Sequence, residues 1–385
     1  MTYFFIYSSI TMDAICTANN QFGLDLAKEI SSDVNVIFSP LSIITALSVV
    51  YFGATGKTAD QIQKALHFEN IEDIHSKLKN LIVTINGTGD FTINLANRLF
   101  GEQSFYYSEV FMNKSKVWYN SDLEKVDFLR NPEVARLHIN KWVREQTQGR
   151  IKDVLPENSI SNGTELMLTN VIYLLANWTD NLHQYETDNE TFTLCTNENK
   201  KVQMMSARGY YNIRIIPELN TKILELPYGK NKQLSMFIIL PDQCTDLRNI
   251  EKNLSSEKIN NWTNLTSMEW KYVEFYLPKF TARYDFPLQD ILPNLGMKDI
   301  FTRSTNLSMT SQDNVYIFGG FHKAYVKFDE DGTELNTNTS DSHTILLELG
   351  SLLPEVKFKM DHPFLYVIVH KITKCILFYG KFMLP

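Results

Sequence analysis

The segment that most resembles a catalytic motif is residues 53–58, GATGKT, which contains the glycines, lysine and threonine of a phosphate-binding loop. That loop needs four residues between its glycines and a strand before it, whereas this segment has two residues there and follows a helical pattern. We therefore interpret it as a turn between two helices. The chain also lacks the G-x-S-x-G and H-E-x-x-H motifs, and its eight histidines show no metal-ligand spacing. The sequence thus predicts no enzyme: no catalytic residue, no cofactor and no metal site.

The cysteines are few and scattered. Cys16, Cys195, Cys244 and Cys375 lie far apart in the sequence and form no C-x-x-C pair. Disulfide frameworks and zinc sites are typical of closely and regularly spaced cysteines. We therefore expect free thiols rather than disulfides or a zinc site.

Composition and charge narrow the classes of partner. The 385 residues are 44% hydrophobic with only 16 Gly and 12 Pro, which excludes a disordered or collagen-like chain. The formal net charge of −7 disfavours nucleic acid and anionic membranes as partners. No apolar stretch approaches the roughly 20 residues that a membrane-spanning helix needs.

Two features bear on where the protein is located. The first ten residues, MTYFFIYSSI, are apolar but lack the basic residues of a secretory signal, and Ser8 and Ser9 interrupt the apolar run. Ten N-x-S/T sequons, about twice the number expected by chance, would suit a secreted surface. One of them, Asn177, lies in an apolar stretch beside Trp178 and is a poor place for a glycan. The ten are Asn86, Asn113, Asn162, Asn177, Asn189, Asn253, Asn261, Asn264, Asn306 and Asn338.

Hydrophobic periodicity predicts helices and strands in two groups. Helical spacing covers residues 14–30, 41–53, a segment starting at Thr58, 132–147 and 286–295. Strand-like runs cover residues 35–38, 91–100, 165–175, 222–228, 234–241, 273–280 and 364–370. Helices dominate the first 150 residues and strands the rest, with no linker or internal repeat between them. The sequence therefore predicts one domain of the α+β class.

Residues 329–357 do not resemble part of a packed core. Their first half is polar and rich in Thr, Asn and Ser, and the apolar residues 345–347, ILL, follow. Strand-like segments flank both sides. Long polar excursions between the strands of a compact domain are usually functional, so we expect an exposed functional loop here.

Several motifs, spread over nearly the whole chain, match one family. The most specific is FKMDHPFLYVI at residues 358–368, which fits a C-terminal family pattern in full. The others are NVIFSPLSI (35–43), INKWV (139–143) with TQGRI (147–151), LPKF (277–280), and HKA (322–324) followed by the acidic EDGTE (330–334). Together they resemble the serpin family, in particular its ovalbumin-related intracellular branch. The resemblance implies the serpin fold, with a helix-rich N-terminal part, large mixed β-sheets and an exposed reactive-centre loop.

The same resemblance sets the predicted boundaries. The start at Met12, MDAICTANNQFGLDL, is similar to the N-terminus of the ovalbumin branch. We predict that residues 1–11 are an extension, that 12–385 form a single serpin domain, and that the reactive-centre loop spans about residues 330–354. Because that branch is intracellular and the N-terminal segment is a poor signal, we expect a cytoplasmic protein, with the extracellular space as the alternative.

For function, the resemblance implies an inhibitor that a serine protease, or a cysteine protease, attacks as a suicide substrate. The cleaved loop inserts as a strand into a β-sheet and distorts the bound protease. By matching position, Ser39, Ser42, Asn170 and His322 form a polar network beneath the sheet that opens. Trp178 and Lys279 lie where insertion begins, with Lys279 pairing to Glu330. The hinge comprises Glu330, Asp331, Gly332, Thr333, Glu334 and Leu335.

The hinge departs from the family pattern, which continues after Gly-Thr-Glu with small residues, mostly alanine. This chain has LNTNT at residues 335–339. Because an inserting strand alternates its side chains, we expect Thr333, Leu335, Thr337, Thr339 and Asp341 to face the core. Overpacking by Leu335 would cost about 1–3 kcal/mol, Asp341 would bury an unpaired carboxylate, and a glycan at Asn338 would block insertion. A second departure is LLANW at residues 174–178, where the family usually has F-K-G-x-W. The alternative is therefore a non-inhibitory serpin of the chaperone, carrier or storage type.

Two counts place the scissile bond differently. The family's usual span from Glu330 ends at Leu346-Leu347, whereas counting back from PEVKF (354–358) gives Gly350-Ser351, with Leu349-Gly350 between the two. A protease pocket gains about 1.5–3 kcal/mol from a buried leucine and almost nothing from glycine, which favours Leu346-Leu347. No Lys or Arg occurs between Thr333 and Val356, so we expect chymotrypsin-, elastase- or cathepsin-like targets rather than trypsin-like ones.

The resemblance also implies the state of assembly. We expect a monomer whose open sheet is able to accept the loop of a neighbour, so that head-to-tail polymers form on mild heating.

Overall fold

The computed structural model describes residues 2–30, 33–86, 89–179, 187–310, 315–333 and 354–385. Its helices in these ranges are α1 (Thr2–Glu29), α2 (Pro40–Gly53), α3 (Gly56–Ala65), α4 (Ile74–Asn86), α5 (Glu109–Tyr119), α6 (Pro132–Gln146), α7 (Cys244–Asn253), α8 (Ser256–Trp262) and α9 (Leu288–Ile291). Its strands are β1 (Val36–Phe38), β2 (Phe91–Glu102), β3 (Leu123–Val126), β4 (Leu166–Asn177), β5 (Thr187–Thr193), β6 (Asn199–Ile216), β7 (Thr221–Tyr228), β8 (Leu234–Pro241), β9 (Glu269–Pro278), β10 (Phe280–Pro287), β11 (Ile317–Phe328), β12 (Gly332–Thr333), β13 (Val356–Lys359), β14 (Phe364–His370) and β15 (Cys375–Phe382). The α+β class predicted from the sequence is confirmed.

The strands form two sheets. The nine-stranded sheet has the order β1-β15-β14-β8-β7-β6-β9-β13, with β5 paired to β6. The six-stranded sheet has the order β10-β11-β4-β2-β3, with β12 paired to β4. In the six-stranded sheet the neighbours β11 and β4 run parallel, whereas β12 is antiparallel to β4.

Strand β4 separates two layers of core. Its even-numbered side chains, such as Leu168 and Leu174, belong to the main core between the sheets. Its odd-numbered side chains, such as Val171 and Tyr173, pack into a smaller core that includes Ile139 and Val143 of α6. Because successive side chains of a strand alternate between faces, every residue of β4 except the last is buried.

Helix α2 positions polar side chains beneath the six-stranded sheet. Ser39 caps it, because its Oγ accepts a hydrogen bond from the Ser42 amide at 3.1 Å, and Pro40 occupies the first turn. Twelve of its 14 residues are buried, as its apolar pattern on all sides predicted. It packs against β15 and β4.

Two predicted elements differ in the structure. The run 273–280 was predicted as one strand, but β9 ends at Pro278 and β10 begins at Phe280 in the other sheet. The helix predicted for 286–295 contains only Leu288–Ile291, because the residues before it pair with β11 as part of β10. The turn predicted within residues 53–58 is confirmed, since it joins α2 to α3.

The prediction of free thiols is wrong. The structure joins Cys16 of α1 to Cys375 of β15, and Cys195 to Cys244 at the start of α7. The partners are 359 and 49 residues apart, so no local spacing rule could reveal them. Within the described residues, no helix is both long and apolar enough to cross a membrane.

Candidate functional site

At the end of β11 the chain folds back on itself and begins a new strand in the six-stranded sheet. The amides of Asp329 and Gly332 each donate a hydrogen bond to the other's carbonyl oxygen at 3.1 Å, so Glu330 and Asp331 form a two-residue turn. Gly332 has φ +118°, and a Cβ there would lie 2.4 Å from the carbonyl oxygen of Ala176. Only glycine fits this position, because a side chain would be both strained and in collision.

Strand β12 pairs with the last two residues of β4, beyond the point where β11 and β4 pair directly. Gly332 pairs with Asn177 and Thr333 with Ala176. Below this point β11 pairs with β4 directly, from Ile317 opposite Leu166 to Tyr325 opposite Tyr173. The sheet is therefore closed along most of its length, and the first two hinge residues after the turn already lie in the sheet.

Trp178 holds the turn in place. Its indole Nε1 donates a hydrogen bond to the Asp329 carbonyl oxygen at 2.9 Å, and its amide donates to the Asp331 carbonyl oxygen at 3.2 Å. Its ring stacks on Tyr228 with centroids 4.4 Å apart. The predicted insertion-site residue Trp178 is thus in direct contact with the turn.

Lys279 and Glu330 form the predicted ion pair. The Lys279 Nζ lies 2.7 Å from the Glu330 Oε2, and the Thr187 hydroxyl donates to the other carboxylate oxygen at 2.9 Å. Burial alone would raise the pKa of Glu330, but the hydrogen bonds from Lys279, its own backbone and Thr187 outweigh it, so its pKa is lowered. Because Lys279 lies between β9 and β10, the ion pair links the base of the loop to the point where the chain changes sheets.

The four residues predicted to form a polar network are brought together beneath β4 and β11. His322 Nε2 accepts a hydrogen bond from the Ser39 amide at 3.1 Å, and its Nδ1 bonds the Asn170 Oδ1. Asn170 Nδ2 donates to the Ser42 Oγ at 2.6 Å and also to the Asn97 Oδ1. His322 and Asn170 are directly paired across the parallel β11–β4 junction, so their hydrogen bond joins the two strands.

His322 is neutral in this network. Burial lowers its pKa to about 3. The Ser39 N–H must meet a lone pair on Nε2, so the ring proton resides on Nδ1 and is donated to Asn170. That tautomer also fixes the orientation of the Asn170 amide.

Three residues of the site, Asn97, Thr187 and Asp329, were not predicted from the sequence. For Asn97 a signal existed, because it is the one polar residue in the inward row Phe91, Ile93, Leu95, Asn97 and Leu99 of an otherwise apolar strand pattern. Several predicted residues lie outside the described residues: Glu334, Leu335, Leu346, Leu347, Leu349, Gly350 and Ser351.

The far end of the loop is anchored in the other sheet. Strand β13 pairs in parallel with β9, from Val356 opposite Val273 to Lys359 opposite Tyr276. The Glu355 amide donates to the Tyr272 carbonyl oxygen at 2.9 Å. The segment that carries the candidate scissile bonds is thus attached to two different sheets.

Comparisons with known proteins agree with this arrangement. The family model described as serpin (serine protease inhibitor) matches residues 17–385. The leukocyte elastase inhibitor of Xenopus laevis is 39% identical, and serpin B6 of Pongo abelii is 38% identical; each match covers 97% of this chain and 100% of the relative. The crystal structure of uncleaved ovalbumin superposes with a TM-score of 0.88 at 30% identity, covering 97% of this chain and 100% of that one.

The chain therefore belongs to the serpin family, as its motifs predicted, and its relatives include ovalbumin and other members of the ovalbumin-related branch. The family is described as one of serine protease inhibitors, which are not enzymes.

Proposed function

We propose that this serpin inhibits chymotrypsin-, elastase- or cathepsin-like proteases by inserting its cleaved loop between β11 and β4. The observation that supports the proposal is the hinge, where β12 pairs with Ala176 and Asn177 of β4 while β11 remains paired with β4 from Leu166 to Tyr173. After cleavage the loop would be free to extend β12 along β4 towards Leu166 as a full strand. The name of the relative from Xenopus laevis, leukocyte elastase inhibitor, supports a protease target of this class.

The register of β12 defines where each later residue would go. If the pairing of Thr333 with Ala176 continues one residue at a time, Leu335 reaches Leu174, Thr337 reaches Ile172 and Thr339 reaches Asn170. Directly paired residues of antiparallel strands project from the same face. These side chains would therefore enter the main core, because that is the side to which the even-numbered residues of β4 project.

Insertion would break the hydrogen bond between His322 and Asn170. The inserted strand would lie between β11 and β4, with Thr339 at the level of both side chains. A threonine hydroxyl both donates and accepts, so it would replace the contact that each partner loses. The polar network would thus be bonded before and after insertion.

A non-inhibitory function is the second candidate, and the same register favours it at two positions. Leu335 would meet Leu174 in a core that is already packed, and Asp341 would meet Leu168 with no cation placed by the register to pair with it. Overpacking costs about 1–3 kcal/mol, and an unpaired buried carboxylate resists insertion further. A serpin whose loop stays out after cleavage would be a substrate and not an inhibitor.

Mixing the protein with chymotrypsin, elastase or cathepsin G decides between the two functions. An inhibitor gives a covalent complex that survives boiling in detergent, because the acyl-enzyme is trapped. Cleavage without any such complex would contradict the proposal.

Two variants show whether the hinge departures limit inhibition. Leu335→Ala and Asp341→Ala should increase the fraction of protease trapped relative to the fraction of inhibitor cleaved. Asn336→Ala is the matched control, because the register places residue 336 opposite Tyr173, on the other face of the sheet. An equal effect of all three variants would contradict the register.

The target class and the scissile bond are tested together by mass spectrometry of the released C-terminal fragment. A fragment that begins at Leu347 supports Leu346-Leu347, one that begins at Gly350 supports Leu349-Gly350, and one that begins at Ser351 supports Gly350-Ser351. Rapid, stable inhibition of trypsin would contradict the specificity, because the loop offers no Lys or Arg between Thr333 and Val356.

A further inference from the structure

All four cysteines of the chain are paired, although nothing in their spacing suggested it. The Cα atoms of Cys16 and Cys375 are 4.8 Å apart, and those of Cys195 and Cys244 are 5.3 Å apart. Both separations lie within the range of about 4.4–6.8 Å that disulfides span. Two independent pairs in bonding position indicate disulfides rather than chance neighbours.

The first pair is held together by contacts that do not involve sulfur. One helical turn after Cys16, the Asn19 side chain donates to the Ile376 carbonyl oxygen at 2.9 Å. The Asn20 side chain donates to the Lys374 carbonyl oxygen at 2.9 Å and accepts from the Ile376 amide at 2.8 Å. These bonds fix α1 against the start of β15 on both sides of Cys375, and they leave the two buried sulfur atoms facing each other.

The second pair lies at the surface. Cys195 is exposed in the turn between β5 and β6, and Cys244 is half-buried at the start of α7. In a reducing compartment such an accessible disulfide is reduced, whereas in an oxidising one it persists. A chain that keeps both pairs is therefore suited to the secretory route and the extracellular space.

The sequons provide a second, independent observation. Of the nine sequon asparagines that the structure describes, eight are exposed and none is buried. Of the 20 described asparagines outside sequons, only 11 are exposed and five are buried. Sequons are thus concentrated where a bulky glycan fits. The eight exposed ones are Asn86, Asn113, Asn162, Asn189, Asn253, Asn261, Asn264 and Asn306.

Asn177 is the exception and serves as an internal control. It is half-buried at the end of β4, its carbonyl oxygen accepts from the Gly229 amide at 2.9 Å, and it pairs with Gly332 of β12. The Oδ1 atom of this side chain is buried, so the folded structure leaves no room for a glycan on its amide. A folded chain therefore leaves Asn177 unmodified.

We propose that this protein matures in an oxidising secretory compartment, where it acquires two disulfides and N-linked glycans on its exposed sequon asparagines. This reverses the cytoplasmic location expected from the sequence, and it does not depend on the proposed inhibition. Each disulfide forms when two thiols pass two electrons and two protons to a protein disulfide oxidant, which leaves as a dithiol. Each glycan forms when an asparagine Nδ2 displaces the diphosphate from a lipid-linked oligosaccharide and releases one proton.

The test uses the full-length protein purified from the cells that make it, with free thiols blocked by N-ethylmaleimide during lysis. Intact-mass spectrometry should show no labelled cysteine before reduction and four after it. Treatment with a peptide N-glycosidase should lower the mass and convert occupied asparagines to aspartate. Peptide mapping should place these conversions among the eight exposed sequons and none at Asn177. Asn80, which is exposed on α4 outside any sequon, is the control for spontaneous deamidation.

Three results would overturn the proposal. Four labelled thiols without reduction would show that the disulfides do not form in the cell. Disulfides without any change of mass after deglycosylation would show that the protein carries no N-linked glycans, and this would contradict the secretory route. Modification of Asn177 in preference to the exposed sequons would show that exposure in the folded chain does not select the sites.

Discussion

Replacing Lys279 by alanine should make the protein polymerise faster. Lys279 holds the carboxylate of Glu330 at 2.7 Å, and Glu330 is one of the two residues of the turn between β11 and β12. Without the lysine, the turn keeps Trp178 and the Thr187 hydroxyl but loses its only described cation partner at Glu330. The base of the loop then leaves the sheet more often, and an open sheet accepts a neighbour's loop.

The size of the effect follows from the exposure of the pair. The Lys279 side chain is 35% exposed and that of Glu330 16%, so the pair is neither fully solvated nor deeply buried. Exposed ion pairs contribute about 0–1 kcal/mol, and hydrogen bonds to charged groups contribute about 1.5–3 kcal/mol. We expect a loss of about 1–2 kcal/mol, which is a factor of about 5–30 in the population of the open form.

The assay is incubation at a fixed, mildly elevated temperature with polymer followed on native gels. Lys279→Ala should form ladders about 5–30 times faster than the wild type. Lys271→Ala is the matched control, because Lys271 is 32% exposed and pairs with Glu269 at 2.7 Å in β9, away from the turn. Equal rates for Lys279→Ala and the wild type would refute the reasoning, as would equal acceleration by Lys271→Ala.

The stability contributed by the Lys279–Glu330 ion pair depends on pH. The pKa of Glu330 is lowered in the folded protein, so the pair contributes stability above the carboxylate's ordinary value of 4.5. That contribution is lost as the pH falls through the lowered pKa. Wild-type polymerisation should therefore accelerate in acid, and the ratio of the variant's rate to that of the wild type should fall towards one.

Three further predictions concern the whole molecule. Thermal melts before and after loop cleavage should differ sharply if the loop inserts, because insertion adds a central strand, whereas an unchanged melt means that the loop stays out. Burial lowers the pKa of His322 to about 3 and those of His75 and His370 to about 4. The free energy of unfolding should therefore decrease as the pH falls below 6.5, by up to about 1.4 kcal/mol per pH unit for each histidine. Urea titrations should show a shallower decrease for His322→Asn, and an unchanged slope would contradict the lowered pKa of His322. By its effect on the entropy of the unfolded chain, a disulfide that closes 359 residues stabilises the fold by about 6 kcal/mol and one that closes 49 residues by about 4 kcal/mol. Cys16→Ser should therefore lower the melting temperature of the oxidised protein more than Cys195→Ser. The reverse order would contradict this estimate.

Much of the site was predictable because its signals are local in the sequence. The cap at Ser39 followed by Pro40 marks the start of α2, and the apolar pattern after it indicates a buried helix. Alternation along a strand places Leu335 and Asp341 on the same face of an inserted strand as Thr333, and the pairing of Thr333 with Ala176 identifies that face as the core side. The family motifs then related Trp178 and Lys279 to the hinge, and the structure shows both in contact with the turn.

Other features depend on contacts between residues that are distant in the sequence, and these only the tertiary structure decided. Asn97 joins the network because β2 lies beside β4 and places Asn97 opposite Asn170. The break at Lys279 exists because its two flanking strands belong to different sheets. Cys16 and Cys375 meet because α1 packs on the last strand, an arrangement that the packing of the whole core imposes and that no spacing of cysteines encodes.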